Sequence, residues 1–247
     1  MKRSLQKLFA SLIATCCVGE ASAGPEAAPS IEFTCAHVGA LPYDELFFRQ
    51  GKQAEALILR AMRRSLPRKL TAGTTFDVMI PETQPDGSQG FKVIGSAALP
   101  PGAKQVMFLL AAKANPQPGK KPIYIMALDD SPQEFPIGSF RFANATRVPL
   151  HVKFGSTGQV IASGGIIVIK PSSAKEGFLP VIIAETTGKI LFQTRFFWEP
   201  KVREFVMISP PSSPEAPLNL QFISEIVQPR PPTSTSSASL NPSSKAP

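Results

Sequence analysis

The chain has 247 residues, 43% of them hydrophobic, and a formal net charge of +8 at pH 7. A chain of this size and apolar content can bury a core, in either one large domain or two small ones. The positive excess favours acidic surfaces or polymers through an attraction that salt weakens, but it does not identify nucleic acid as the partner.

The first 23 residues have the three parts of a secretory signal. A basic start is followed by an apolar stretch from Leu8 to Val18 and by a small-residue ending at Ala23. The apolar stretch is far shorter than the roughly 20 residues of a membrane-spanning helix, which favours a removed leader over a retained anchor. We expect cleavage between Ala23 and Gly24, and export to the periplasm, the cell envelope or the extracellular space. No other apolar run is long enough to span a bilayer.

The cysteines give one alternative to this leader and one constraint on the mature fold. The stretch LIATC resembles the lipobox of bacterial lipoproteins, with Cys16 as the lipidated residue, although Thr15 departs from the usual small residue. Removal of residues 1–23 takes Cys16 and Cys17 away and leaves Cys35 alone. One cysteine cannot form an internal disulfide, so stability must come from a hydrophobic core. The mature chain keeps 247 less 23, or 224, residues and +8 less +2, or +6, of charge.

Between the leader and residue 209, short apolar-rich runs alternate with Pro, Gly, Asn and Asp, with almost no sustained helical period. Their spacing of roughly 8 to 12 residues predicts an all-β protein, specifically an antiparallel β-sandwich. The 26 prolines agree, because proline interrupts helices but suits strand starts, edges and turns. The predicted strands are EALILRAM, TFDVMI, FKVIGSA and KQVMFLLAA, then PIYIMAL, SFRFA, LHVKF, GIIVIK, FLPVIIAE, ILFQTRFFW and REFVMIS.

The polar, Pro- and Gly-rich segment 113–122 is the best internal boundary in the sequence. It divides a first β half, 24–112, from a second, 123–209, although one large sandwich with a long connection fits the same pattern. The stretches LPPGAKQVMFLLA and EPKVREFVMIS share an outline of proline turn, basic residues and apolar strand. Two similar outlines are too little to establish a repeat.

Residues 210–247 are mostly Pro, Ser and Ala. This composition predicts a disordered tail, because it cannot bury enough apolar surface to offset the entropy of ordering. The alternating apolar residues at 218–227 are the exception, since they have the pattern of one more strand.

Few residues suit catalysis or metal binding. The stretch CAH places Cys35 and His37 on the same side of a strand, but zinc normally needs three or four ligands in recognisable spacing. Asp129, Asp130 and Glu134 follow a strand and are expected in a solvated turn, since the EF-hand spacing is missing. No serine-hydrolase elbow or phosphate-binding glycine loop is present. We therefore predict no catalytic, metal or cofactor site, and an enzyme is the less favoured class.

The most concentrated charge lies in residues 59–70, here called the basic connection. Its cations could bind phosphate or carboxylate groups of an anionic envelope polymer, since guanidinium groups suit those oxygens. The alternative is a solvated connection between strands, because runs of charge usually face water. Nucleic acid is disfavoured because few aromatic residues accompany these cations, and another envelope protein is the second partner class. The candidate residues are Arg60, Arg63, Arg64, Arg68 and Lys69.

Residues 135–155, FPIGSFRFANATRVPLHVKFG, have the pattern of strand, turn and strand. Asn144 begins an N-glycosylation acceptor triplet, and we expect its side chain to bond the turn backbone instead. With VIKP, VIIAE and TRFFWEPKVREFVMIS, this segment resembles the second half of uncharacterised secreted bacterial β-sandwich proteins, in outline over residues 40–210. The resemblance implies a secreted β-sandwich and no particular activity.

Two classes of function fit these observations. The favoured one is an exported, non-catalytic β-sandwich protein of the cell envelope that acts as a binding or structural module. The alternative is an envelope hydrolase or lyase whose carboxylates converge from separate strands. The absence of a catalytic motif favours the first class, although a fold alone does not decide a function.

The leader gives the first prediction. Mass spectrometry of the exported protein should find a mature start at Gly24, because the small residues that end at Ala23 fit a cleavage site. A mature chain that starts at a lipidated Cys16 would contradict this prediction.

Overall fold

The computed structural model describes residues 30–71, 75–172, 176–211, 213 and 215–226. These residues form sixteen β-strands and no helix, which confirms the predicted all-β class for the described part of the chain. The predicted leader, 1–23, and the tail beyond residue 226 lie outside the described residues.

The strands fall into two groups of eight. The first group is β1 (Ser30–Val38), β2 (Phe47–Gln50), β3 (Gln53–Ala56), β4 (Arg68–Thr71), β5 (Thr75–Thr83), β6 (Gln89–Ala98), β7 (Gln105–Ala112) and β8 (Ile123–Asp129). The second group is β9 (Phe140–Asn144), β10 (Leu150–Phe154), β11 (Thr157–Ile161), β12 (Ile166–Ile169), β13 (Gly177–Glu185), β14 (Ile190–Trp198), β15 (Val202–Ser209) and β16 (Asn219–Ile226).

Hydrogen bonds arrange these strands in four sheets of four. Sheet 1 has the order β3-β2-β5-β6, sheet 2 has β4-β1-β7-β8, sheet 3 has β12-β9-β15-β16, and sheet 4 has β11-β10-β13-β14. Sheets 1 and 4 are antiparallel throughout. Sheets 2 and 3 are mixed, because β1 runs parallel to β7 and β9 runs parallel to β15. The prediction of antiparallel pairing is therefore wrong for these two central pairs.

Sheets 1 and 2 share one apolar core. Alternate side chains of β1 and β7 enter it from sheet 2, and those of β2 and β5 enter it from sheet 1, as the period of two in a strand requires. The ring of Phe33 lies 5.2 Å from that of Phe48 and 5.3 Å from that of Phe76. Phe76 and Phe108 stack with their centroids 3.8 Å apart. Sheets 3 and 4 share a second core in the same way.

A third apolar cluster joins sheet 2 to sheet 3. In β7, Val106 and Phe108 face the first core, whereas Met107 and Leu109 face this third cluster. Strand β15 alternates in the same way between the second core and the third cluster. Both strands are thus buried on both faces, which explains their continuous apolar sequences and is typical of strands with a parallel partner.

The four sheets divide between β8 and β9, in the connection 130–139. Segment 113–122, the predicted boundary, is instead the loop that joins the paired strands β7 and β8 inside sheet 2. The predicted strand EALILRAM, residues 55–62, forms a strand only in its first two residues, which are the end of β3. The chain reverses direction a few residues later, at the bridge between Arg60 and Arg63. The strand pattern at 218–227 corresponds to β16, which pairs with β15 along its whole length.

The two groups of strands have the same topology. If β1 is matched with β9, β2 with β10 and so on up to β8 with β16, the strand order of sheet 1 becomes that of sheet 4, and the order of sheet 2 becomes that of sheet 3. The parallel pair β1–β7 then corresponds to the parallel pair β9–β15. The similar stretches LPPGAKQVMFLLA and EPKVREFVMIS lead into β7 and β15, which occupy the same place. Val106 and Val206 face the two cores, and Met107 and Met207 face the third cluster.

A shared irregularity strengthens this equivalence. The β5–β6 pairing shifts register directly after Val78, and the β13–β14 pairing shifts directly after Ile183. In each case the partner strand carries the extra residue, Ile94 in β6 and Leu191 in β14. A β-bulge bends a strand and increases its twist, so each outer sheet has a local bend beside a core residue, Val78 in one and Ile183 in the other.

Burial of β15 on both faces gives the second prediction. Phe205→Ala should lower the free energy of unfolding by about 3–5 kcal/mol, because a fully buried ring leaves a cavity between sheets 2 and 3. Phe197→Ala, which removes an exposed ring from the same half, should cost less than about 1 kcal/mol. Urea denaturation of both variants checks the difference. Equal losses would contradict the assignment of Phe205 to the junction between the sheets.

Candidate functional site

The basic connection begins with a reversal of the chain. The N–H of Arg63 donates to the carbonyl oxygen of Arg60 at 3.4 Å, and Met62 between them has a φ of 55°. A non-glycine residue with a positive φ is uncommon and marks a tight turn. The turn lies beside the end of β1, since Ala61 forms a bridge with His37.

The five predicted cations do not form one surface. Arg64 points inward, where its Nη1 lies 2.5 Å from Oδ2 of Asp130 and 3.1 Å from Oε2 of Glu225. Arg68 pairs with Glu55, and its guanidinium lies 4.6 Å from the centroid of the Phe48 ring. These two cations are occupied by contacts within the protein.

Arg60, Arg63 and Lys69 are the exposed members of the predicted set. Lys69 lies opposite Glu32 in the β1–β4 register. In the described part of the chain, no carboxylate forms an ion pair with Arg60 or Arg63. The Arg60–Arg63 turn therefore presents two guanidinium groups to solvent.

The inward-facing Arg64 belongs to a buried ionic cluster between the two halves, here called the junction. Arg203 of β15 binds Glu225 of β16 through Nε at 3.0 Å and Asp130 through Nη2 at 3.2 Å. Its Nη1 donates to the backbone carbonyl oxygens of Asp130 and Phe135. The charged side chains of the junction thus come from the connection between β3 and β4, from the end of β8, and from the paired strands β15 and β16 of sheet 3.

Phe135 is the apolar centre of the junction. Its ring is fully buried, and three guanidinium groups lie close to it, at 4.3 Å for Arg141, 5.0 Å for Arg203 and 5.9 Å for Arg64. A cation within about 6 Å of a ring face is attracted by the ring quadrupole. One phenylalanine from the connection between the halves therefore helps to hold three like charges together.

Arg141 is the member of the junction that has no direct carboxylate partner among the described residues. Its Nη2 donates to the carbonyl oxygens of Asp129 and Glu134, and its buried Nη1 has no hydrogen-bond partner. Burial lowers the pKa of Arg141 to about 10, and the nearby Arg64 and Arg203 act in the same direction against the attraction of Asp130. The charge of Arg141 is thus held at a cost by carbonyl dipoles and by the Phe135 ring.

The acids at the end of β8 have different environments. Asp129 accepts a hydrogen bond from the N–H of Ser131, and Glu134 is exposed, so these two fit the predicted turn. The solvated position predicted for Asp130 is wrong, because this side chain is buried between Arg64 and Arg203. Local spacing carries no signal for these ion pairs, because the partners lie 66 and 73 residues away.

Cys35 and His37 both lie in β1, as the predicted strand requires, yet their side chains have different environments. Cys35 is fully buried in the first core, and burial raises the pKa of its thiol. Nδ1 of His37 lies 2.9 Å from the carbonyl oxygen of Gly39. Across the described ranges, no group of three or more His, Cys, Asp and Glu side chains is placed to hold a metal ion.

The buried side chain of Asn144 holds the corner through hydrogen bonds to the surrounding backbone. The Asn144 Nδ2 donates to the carbonyl oxygens of Val148, Ile161 and Ala162, at 2.8, 3.2 and 3.1 Å. Its Oδ1 accepts from the N–H and the hydroxyl of Thr146. The side chain thus bonds the turn backbone, as the sequence predicts, and is buried. A buried amide nitrogen with these partners is not accessible to a glycosylating enzyme in the folded protein.

The connection at this corner is shorter than its counterpart in the first half. The β1–β2 connection has eight residues, 39–46, and its Leu41 and Tyr43 pack against the first core. The equivalent β9–β10 connection has five residues, 145–149. It borders a groove of about 510 Å³ whose apolar lining includes Val148 and Leu191. The groove thus combines apolar side chains with the charged residues Arg147, Glu185 and Lys189.

Comparison with known proteins does not assign the chain to a family. No family model matches the chain, and no curated protein matches it. Within the described ranges, no helix has the length and apolar character needed to cross a membrane.

The junction gives the third prediction. Asp130→Asn should lower the free energy of unfolding by about 3–5 kcal/mol, because it leaves Arg64 and Arg203 buried with only Glu225 to balance them. The matched control is Glu82→Gln, which breaks the exposed pair with Lys92 and should cost no more than about 1 kcal/mol. Chemical denaturation compares the two variants. A loss for Asp130→Asn as small as that of the control would show that the junction charges are solvated.

Proposed function

We propose that the protein is an exported, non-catalytic module of the cell envelope that contacts an anionic partner through the exposed part of its basic connection. The predicted leader supports export. The charge of +6 that remains after its removal supports attraction to an anionic partner. The contact residues are Arg60, Arg63 and Lys69, since these are the cations of the connection that face solvent.

The fold that we propose for this module is a tandem of two β-sandwiches with a Pro- and Ser-rich tail. Support comes from the two cores, because each collects inward-facing side chains from two different sheets. Support also comes from the repeated topology, in which each pair of sheets has the same strand order. The tail composition suits a flexible spacer.

The observation that carries the proposal is that some cations of the connection are paired within the protein while others face solvent. Arg64 and Arg68 are adjacent in sequence to exposed basic residues, yet both are occupied by carboxylates of the chain itself. Arg60 and Arg63 face solvent on a hydrogen-bonded turn. Exposed guanidinium groups can bind the oxygens of an anionic partner. Because the turn is already ordered, binding costs less conformational entropy than it would for a flexible segment.

The alternative of a hydrolase or lyase finds weaker support. Asp130, directly after β8, and Glu225 of β16 do converge from distant parts of the chain, but they converge on the guanidinium groups of Arg64 and Arg203. Both carboxylates serve there as counterions within a buried cluster. A carboxylate that acts as a general acid or base needs access to substrate.

The fourth prediction tests the exposed turn. The double variant Arg60→Glu, Arg63→Glu should elute from a dextran sulfate column at a much lower salt concentration than the wild type, because two cations become anions at the contact. Retention of the wild type should fall as the Debye length drops from about 10 Å at 0.1 M salt to about 3 Å at 1 M. Arg64 is left unchanged, since its reversal would break the junction.

The matched control is Arg147→Glu, Arg195→Glu. It removes two exposed arginines of the second half and changes the net charge by the same amount. It should elute close to the wild type if the contact lies at the turn. Equal loss of retention in both double variants would mean that binding follows net charge alone, and would contradict the proposed contact.

A further inference from the structure

The basic connection and the residues beside it combine charge with apolar exposure. Leu66 and Ile58 are the two most exposed large hydrophobic side chains of the described residues, at 84% and 74%. A single exposed aliphatic side chain is ordinary on a protein surface. These two flank the Arg60–Arg63 turn, one before it and one after it in the sequence.

The backbone beside both side chains is held in place. The N–H of Leu57, which precedes Ile58, donates to the carbonyl oxygen of Leu46 at 2.7 Å, and the side chain of Leu57 is buried. Ser65, which precedes Leu66, donates from its N–H to the carbonyl oxygen of Cys35 at 2.7 Å. The Ser65 hydroxyl oxygen accepts from the N–H of Cys35 at 2.9 Å. The two aliphatic side chains therefore project from anchored positions on either side of the reversal.

The charge of this segment has one sign. Residues 57–69 contain five Arg and Lys residues and no Asp or Glu. Arg64, which points inward, and the half-exposed Arg68 pair with carboxylates from outside this segment, which leaves the exposed end of the loop cationic. Exposed aliphatic groups beside exposed cations match the boundary of an anionic bilayer, where phosphate groups lie above acyl chains.

We propose that residues 57–66 bind the surface of an anionic lipid bilayer. The side chains of Ile58 and Leu66 enter the boundary between head groups and acyl chains, and Arg60 and Arg63 bind lipid phosphates. This inference rests on the proposed function and names its anionic partner as a lipid surface. An anionic polysaccharide would account for the two arginines, but it would leave two aliphatic side chains in water.

The experiment uses the full mature protein with two probes. One is a sedimenting vesicle of phosphatidylglycerol and phosphatidylcholine in equal amounts, with pure phosphatidylcholine vesicles for comparison. The other is dextran sulfate resin, which offers anionic groups without an apolar layer. The variants are Ile58→Ser with Leu66→Ser, and Arg60→Glu with Arg63→Glu. The matched control is Val160→Ser with Ile190→Ser, which removes two exposed aliphatic side chains from sheet 4, at 59% and 55% exposure.

The wild type should bind the anionic vesicles and not the neutral ones. The aliphatic variant should lose about tenfold or more in vesicle affinity while it keeps its retention on dextran sulfate. The arginine variant should lose both, by about 25-fold or more on vesicles, since each basic residue near an anionic leaflet strengthens binding about fivefold. The control variant should match the wild type on both probes. Circular dichroism of every variant checks that the β-sheet signal is kept.

Three results would overturn the inference, and each has a different meaning. Retention on dextran sulfate without vesicle binding, or equal vesicle binding by the aliphatic variant and the wild type, would remove the bilayer and leave the proposed function standing. Binding to neither probe would remove both proposals. A dimer in sedimentation velocity that the aliphatic variant breaks, without vesicle binding, would assign the loop to a second copy of the chain.

Discussion

Sheets 2 and 3 pack against each other through strands whose opposite faces are already buried, and this contact determines how the rest of the chain is arranged. Met107 of β7 and Phe205 of β15 belong to the cluster between these sheets, while Val106 and Val206 face the two outer cores. A strand buried on both faces must be apolar at consecutive positions. Polar groups that hold the halves together are therefore placed near strand ends, as Asp130 is directly after β8.

The junction links the packed sheets 2 and 3 to the exposed Arg60–Arg63 turn. Arg64 reaches inward to Asp130 and Glu225, and its neighbour Arg63 faces solvent. The turn that presents Arg63 is thus attached through one residue to carboxylates from both halves. Buried ion pairs contribute little net stability, because desolvation offsets much of their attraction. The cluster joins the turn, the end of β8 and strands β15 and β16 through paired charges, so the position of the turn is coupled to the contact between the halves.

The sequence was informative wherever structure depends on local pattern. Alternating apolar residues predicted the all-β class, and the corner at Asn144 followed from ordinary turn chemistry. Continuous runs such as QVMFLLAA identified β7 as a strand, but did not reveal its parallel partner β1, which lies more than 60 residues earlier in the chain. The short strands β2 and β4 were missed because four residues carry too little periodicity. The roles of Arg64 and Asp130 were hidden because an ion pair between distant residues leaves no trace in local spacing.

Cys35 gives the repeated architecture an internal asymmetry. Its thiol is the one free cysteine of the described residues, lies wholly inside the core of the first half, and is kept protonated by burial. The thiolate is the reactive form, so a thiol reagent can reach this group only when sheets 1 and 2 separate. The described part of the second half has no such reporter. The rate at which a reagent alkylates the sulfur of Cys35 therefore measures how often the first half opens. The second half, which has a similar architecture, contributes no signal to this measurement.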